Sequence, residues 1–147
     1  MSFDILYELT TQWSGLLTEP IPEGVARLLR MARSLFAHSW FGYEFMALAT
    51  TVSLQAVEAT FRQVVYPSDP PHVAFRTLVV RAEKEGWLAP DLADRLHGGV
   101  QLRNSLSHPL TQAGFTVGMA APMVENSHRI INLLCGFDFA EWHTVAK

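Results

Sequence analysis

The amino-acid sequence predicts an all-α fold from three observations. Prolines and glycines divide the 147 residues into segments of helical length. Within these segments apolar residues recur at the three- and four-residue spacing of a helix face, and no stretch alternates apolar and polar residues as a half-buried strand does. Hydrophobic residues make up 49% of the chain, which is enough for one core. We therefore expect a single helical domain over residues 1–147, with four to five main helices.

Three helices are predicted in the first half of the chain. The first covers residues 3–17 and stops at the proline-containing connector 19–22, so that residues 1–22 form a helix and its linker. The second begins near Glu23 and carries an apolar stripe with a period near 3.6, formed by Leu28, Met31, Ala32, Leu35 and Phe36. The third, over residues 43–65, is apolar on several sides and rich in small residues, which predicts a central helix.

Three further helices are predicted in the second half. They cover residues 72–85, 90–108 and 119–134, and an aromatic tail follows at residues 137–147. Gly86 suits the position just after a helix, and Pro90 suits the first turn of the next one. Gly98 and Gly99 either kink that helix or let a neighbouring helix approach closely at a dimer seam.

Charge and cysteine content exclude several classes of protein. The net charge of −3 argues against a general nucleic-acid coat protein, although a local basic patch is allowed. Cys135 is the only cysteine, so the chain cannot form an internal disulfide, which fits a reducing compartment. No signal-peptide pattern and no apolar run of membrane-spanning length occurs, and we expect a cytoplasmic protein without a membrane partner. Only 17% of the residues are charged, which favours a second apolar face that binds another subunit or a partner.

The motif with the most chemical content is Arg103-Asn104 followed by His108 and Pro109. Asn104 and His108 are four residues apart and share a helix face, while the long side chain of Arg103 can swing toward the same place. Pro109 favours a helix end, where an imidazolium is stabilised by the helix dipole. The set combines a cation, a polar positioning group and a group that titrates near neutral pH. The alternative is a helix C-terminus with basic residues near its last carbonyls.

Three segments in sequence order resemble the HEPN superfamily (higher eukaryotes and prokaryotes nucleotide-binding). They are ALATTVSLQAVEATFRQVV, which places Glu58 and Arg62 on one face, then LVVRAEKEGWL, then QLRNSLSHP. The hallmark of the family is Arg-x4-6-His with a polar residue, most often Asn, directly after the arginine, and often a proline after the histidine. The resemblance covers roughly residues 25 to 134.

The resemblance implies an up-and-down helical bundle that forms a homodimer, with the two motifs facing each other. It further implies a metal-independent endoribonuclease of a toxin–antitoxin or phage-defence system, with RNA as substrate, no cofactor, and an antitoxin or defence-system protein as a further partner. Some members have lost the motif, so the alternative is a non-catalytic helical module that binds a nucleotide, RNA or a partner protein. A toxin branch has tyrosine two residues after the histidine, and this chain departs from it with Leu110.

Carried over residue by residue, the resemblance assigns catalysis to Arg103, Asn104 and His108. Arg103 would neutralise charge on the reacting phosphate, and His108 would act as general base or acid. Asn104 would orient His108 or a phosphate oxygen. Glu58 is a further candidate, which either orients Arg103 or forms an i,i+4 ion pair with Arg62. The alternative is that an intact motif only stabilises the dimer.

The remaining histidines and the tryptophans are assigned structural roles. The histidines show no metal-ligand spacing, so we predict no metal site and expect surface or capping positions for His38, His72, His97, His128 and His143. The tryptophans are expected to be core or interface anchors, at Trp13, Trp40, Trp87 and Trp142.

Overall fold

The computed structural model describes residues 1–106 and 116–145 of the chain. Within these ranges it contains seven α-helices and no strand, which confirms the all-α prediction. The helices are α1 (Phe3–Ser14), α2 (Glu23–His38), α3 (Phe45–Thr60), α4 (Phe75–Lys84), α5 (Pro90–Leu106), α6 (Val117–Cys135) and α7 (Phe139–Val145). A π-helical turn, Phe61–Val65, continues α3 without a break. None of the helices in the described ranges is long and apolar enough to cross a membrane.

The central helix is α3, which packs against α2, α5 and α6. Its buried positions run around much of its circumference and include several small residues: Ala47, Ala49, Ser53 and Ala56. Small side chains let neighbouring helices come close to the α3 backbone, so one helix can be shared by three neighbours. The predicted central position of this segment is therefore confirmed.

The connectors between the helices are fixed by local geometry and by one side chain from a distant helix. Gly86 follows α4 with a φ of 85°, the left-handed conformation that ends the helix as its sequence position predicts. The connector after α1 lies against α6, where Asn132 Oδ1 accepts hydrogen bonds from the backbone N–H groups of Thr18 (2.8 Å) and Glu19 (2.9 Å). These contacts hold the chain reversal between α1 and α2 in place.

The buried side chains form two clusters along α3. The first surrounds Phe61 and packs α2, α4 and α7 against the end of α3, with Trp87 at its border. The second surrounds Trp13 and Phe36, whose ring centroids are 4.7 Å apart, and it also contains Leu106 of α5. Trp40 lies outside both clusters and is 52% exposed. Because Leu106 is buried in the second cluster, it anchors the last turn of α5 in the protein interior.

Helix α5 continues through Gly98 and Gly99 without interruption. A Cβ atom on Gly99 would lie 3.0 Å from Leu54 Cδ2 of α3, whereas a Cβ atom on Gly98 would meet nothing within 4 Å. Gly99 therefore permits a close approach between α5 and α3 inside the same chain. The close approach that we expected for this pair of glycines occurs at Gly99, within one subunit.

His128 occupies the core, so the expectation of a surface or capping position for it was wrong. Its side chain is fully buried on α6. Nδ1 lies 2.8 Å from the Val124 carbonyl, and Nε2 lies 2.9 Å from Nη1 of Arg33 on α2. A neutral ring that carries its proton on Nδ1 satisfies both contacts, because it donates to Val124 and accepts from Arg33. Burial, together with the charge of Arg33, lowers the pKa of His128 to about 4, although Val124 and Glu125 oppose the shift.

This lowered pKa predicts a loss of stability in acid. An unfolded histidine binds a proton near pH 6.5, whereas folded His128 binds one only near pH 4, so the unfolded state gains protons first as the pH falls. The free energy of unfolding should therefore fall between pH 6.5 and pH 4, by up to about 3 kcal/mol from this group.

Urea unfolding at pH 7, 5.5 and 4.5 measures this effect as a difference between the wild type and His128→Gln. The glutamine still offers an oxygen to Arg33 but does not titrate. The variant should lose less stability than the wild type over this pH range. Identical pH dependence of the two proteins would contradict the assignment.

Candidate functional site

The first two motif residues, Arg103 and Asn104, lie in the last turn of α5. The side chain of Arg103 is 24% exposed, and Asn104 is exposed. His108 lies outside the described residues, as do Pro109 and Leu110, so the role assigned to His108 stays a prediction. In the sequence His108 is two residues beyond Leu106, the buried end of α5.

Glu58 lies between two arginines from different elements. Its Oε2 accepts a hydrogen bond from Nη1 of Arg103 on α5. Its Oε1 accepts from Nη2 (2.8 Å) and Nε (3.2 Å) of Arg62, in the π-helical turn. The two alternatives drawn from the sequence, orientation of Arg103 and an i,i+4 ion pair with Arg62, therefore occur together through different oxygens of one carboxylate.

The electrostatics of this cluster keep Glu58 ionised. Burial is the largest effect on Glu58 and opposes its ionisation, but hydrogen bonds and charge from Arg62 and Arg103 outweigh it, and the pKa of Glu58 lies below its ordinary value. Two guanidinium groups surround one carboxylate, so the three side chains carry one excess positive charge. A cluster of this sign attracts an anion.

Arg62 also ties the cluster to the loop before α4. Its Nη2 donates to the backbone carbonyl of Val73 at 2.7 Å. The contact spans from the π-helical turn to a residue two positions before α4. Because π-helical turns change the direction of side chains within a helix and are frequent at functional sites, this turn is a notable place for a site arginine.

A cavity of about 260 Å³ adjoins this cluster, between α5 and the start of α4. It is lined by Ala74, Phe75, Arg76, His97, Val100, Gln101, Arg103 and Asn104. Two of these side chains are cationic, two are amides, and one is an imidazole. None of the described lining residues is acidic. This Arg103 cavity therefore has the composition of a site for a phosphate group, which arginine and amide N–H donors bind well.

The sequence interpretation missed His97 as a member of this site. His97 and Asn104 are seven residues apart on α5, which is close to two helical turns and places both on one face. That spacing was the available signal. His97 Nε2 also lies 4.0 Å from Glu83 Oε2 of α4, and its side chain is 27% exposed.

The charged side chains here bind one another and form no metal-ligand set. Residues 1–106 and 116–145 contain no group of three or more His, Cys, Asp or Glu side chains placed to hold a metal ion. The carboxylate of Glu58 contacts two arginines. The chemistry that the described residues themselves supply is charge stabilisation by arginine and hydrogen bonding by amides.

Comparison of the chain with protein-family models, with curated proteins and with solved structures found no match in any of the three.

Proposed function

We propose that this chain is a HEPN-type, metal-independent endoribonuclease of a toxin–antitoxin or phage-defence system. The observation that carries the proposal is the placement of Arg103, which Glu58 holds at the edge of a cavity that Asn104 also lines. Glu58 lies 45 residues from Arg103 in the sequence, and the fold brings it to the motif.

The charge of the cavity suits an RNA phosphate. The positive charges of Arg62 and Arg103 exceed the negative charge of Glu58 by one, and Arg76 adds another positive charge at the cavity wall. The overall net charge of −3 does not oppose this, because a phosphate responds to the local potential of the cleft. The cavity is large enough for a phosphodiester and an adjoining sugar, whereas the rest of the RNA would lie outside it.

In the proposed reaction the RNA 2′-oxygen attacks the adjacent phosphorus. His108 accepts the 2′-hydroxyl proton, a bond forms between O2′ and phosphorus, and the bond between phosphorus and O5′ breaks. O5′ leaves with a proton from a general acid, and the products are a 2′,3′-cyclic phosphate and a 5′-hydroxyl. Arg103 stabilises the added charge on the phosphorane, and Asn104 orients a phosphate oxygen or His108.

A twofold dimer would supply the second proton-transfer group, because each chain contributes one His108. The fold offers an apolar groove of about 430 Å³ between α3, α5 and α6, and its lining includes Gly98, Leu102, Met123 and Leu133. Leu133 is 64% exposed although it is large and apolar. We infer that a second copy covers this groove. We expect α5 to be the helix at the interface. Leu106 is buried in its own subunit, so Leu102 and the region around Gly98 would contact the second copy.

Cleavage is tested with purified protein and single-stranded RNA in EDTA. The wild type should produce 2′,3′-cyclic phosphate ends, and Arg103→Ala and His108→Ala should each lose about 10²–10³-fold in rate, the usual effect of removing one transition-state contact. Arg27→Ala and His72→Ala are matched controls, because both residues are exposed and lie outside the Arg103 cavity. A His108→Ala variant that binds RNA as the wild type does, with neither protein cutting it, would favour the non-catalytic module.

Glu58 is proposed as a positioning residue for Arg103, and Glu58→Gln tests this role. The amide removes the charge that orients two arginines, so kcat should fall by about ten- to a hundredfold while KM changes less. Glu85→Gln is the matched control, since Glu85 also pairs with an arginine four residues away, Arg81, and neither residue lines the Arg103 cavity or the apolar groove. Rates are compared at a temperature where circular dichroism shows all three proteins fully folded. A Glu58→Gln variant with unchanged kcat would reduce Glu58 to a structural ion pair.

The dimer is tested by light scattering at micromolar concentration. The wild type should have twice the chain mass of 16.4 kDa. Leu133→Asp should shift it toward the monomer, because the carboxylate would be desolvated in the apolar groove. Leu48→Asp, at another exposed apolar position outside the groove, should remain dimeric. A wild-type protein that is monomeric throughout would overturn the dimer.

A further inference from the structure

A second polar pocket lies between α1 and α2. It has a volume of about 340 Å³ and shares no lining residue with the Arg103 cavity. Two arginines of α2 line it, Arg30 and Arg33, and Arg30 also forms an ion pair with the exposed Glu23 at 2.8 Å. Its serines and threonines are Thr10, Thr11, Ser14 and Ser34. None of its described lining residues is acidic. Because Glu23 pairs with Arg30, the excess positive charge of this α1–α2 pocket comes from Arg33.

Arg33 carries a charge that the described part of the chain does not neutralise. Its guanidinium is partly buried, yet it forms no ion pair with a carboxylate of the described residues, unlike Arg62 and Arg81. Burial, and then the charge of Arg30, lower the pKa of Arg33, and no acidic group counteracts them. A partly buried cation without a counter-ion destabilises the folded state. Such a group is expected where an anion from outside completes the site.

His128 holds Arg33 in place without neutralising it. Nε2 of the buried imidazole accepts from Arg33 Nη1 at 2.9 Å, while Nδ1 is fixed by the Val124 carbonyl. A carboxylate at this position would fix the guanidinium equally well but would cancel its charge. The neutral imidazole thus leaves a cation that is oriented from one side and faces the pocket.

Aromatic rings lie at the mouth of the same pocket. Phe3 and Tyr7 stack with centroids 6.0 Å apart, and His38 meets Phe3 edge-on at 5.8 Å. Tyr7 is 59% exposed. An exposed ring beside a cation is the combination with which proteins bind single-stranded nucleic acids, by stacking the base and pairing the phosphate with the cation. The pocket volume is within the roughly 300–1,000 Å³ of small-molecule sites.

We propose that the α1–α2 pocket binds one nucleotide, with its phosphate on Arg33 and its base against the ring of Tyr7. The nucleotide is either free or part of an RNA strand, and the phosphate ester and base are common to both. The site does not depend on the cleavage reaction, because its residues lie outside the Arg103 cavity. It would serve as an anchoring site for RNA if the chain is a nuclease, and as a ligand site if it is not.

The test measures binding of AMP and of inorganic phosphate by calorimetry, and of a labelled single-stranded RNA by fluorescence anisotropy. The RNA arm uses the His108→Ala background, so that cleavage cannot interfere. Arg33→Met should weaken nucleotide binding by about tenfold to a hundredfold, the usual effect of losing a charged hydrogen bond. Arg27→Met is the matched control, since Arg27 is an exposed arginine of α2 outside the pocket.

Two further variants keep the test decisive. Thr11→Glu places a carboxylate at the exposed rim of the pocket and should weaken binding even if Arg33→Met does not fold. Tyr7→Ala should weaken the binding of AMP but not of inorganic phosphate.

The possible outcomes distinguish a free nucleotide from an RNA strand, and they test the nucleotide site separately from the nuclease proposal. AMP binding that needs Arg33 assigns the pocket to a free nucleotide, and RNA binding that needs Arg33 without AMP binding assigns it to an RNA strand. Absence of both, or equal binding by wild type and Arg33→Met, overturns the site. Absence of RNA cleavage together with Arg33-dependent AMP binding overturns the nuclease proposal alone.

Discussion

The carboxylate of Glu58 is the contact on which the placement of Arg103 depends. It joins α3, the π-helical turn and α5, because its two oxygens accept from arginines of different elements. An exposed ion pair contributes little to stability, but this carboxylate is only 21% exposed and binds two partners at once. Breaking the contact of Glu58 with either arginine would leave a poorly solvated charge. The three elements are therefore held in one relative orientation. The side chain of Arg103 is thereby fixed before any ligand arrives.

The sequence predicts the contact between Glu58 and Arg62, which are close together in the chain. It does not determine the contact between Glu58 and Arg103, which depends on tertiary packing. Glu58 and Arg62 are four residues apart on one helix, so helical geometry alone predicts their ion pair. The bond from Glu58 to Arg103 depends on how closely α5 approaches α3, which no local pattern fixes. Gly99 permits that approach, yet in the sequence it suggests a kink equally well. The helices themselves were predictable, because prolines and Gly86 mark their ends.

His128 shows a different kind of failure. It lies four residues after Val124 and three before Ile131, both fully buried, so helical periodicity placed it on the buried face of α6. Its residue type points the other way, since histidine is more often exposed than fully buried. Its partner Arg33 is 95 residues away in the sequence, and the bond between them is visible only in the folded chain. The same holds for the pocket between α1 and α2, whose lining residues look like an ordinary solvated helix face in the sequence.

The two polar sites also explain how a chain with a net charge of −3 can present cations to a ligand. The Arg103 cavity and the α1–α2 pocket have no acidic residue among their described lining residues. They differ in how the central arginine is held. A carboxylate shared with Arg62 fixes Arg103, and a neutral imidazole fixes Arg33. In the first arrangement a second arginine, Arg62, keeps the local charge positive. In the second arrangement Arg33 alone keeps its full charge, although its guanidinium is partly desolvated. Glu58 lies on α3 and His128 lies on α6, and both helices are packed in the interior. The orientation of each arginine is therefore as rigid as the core behind it.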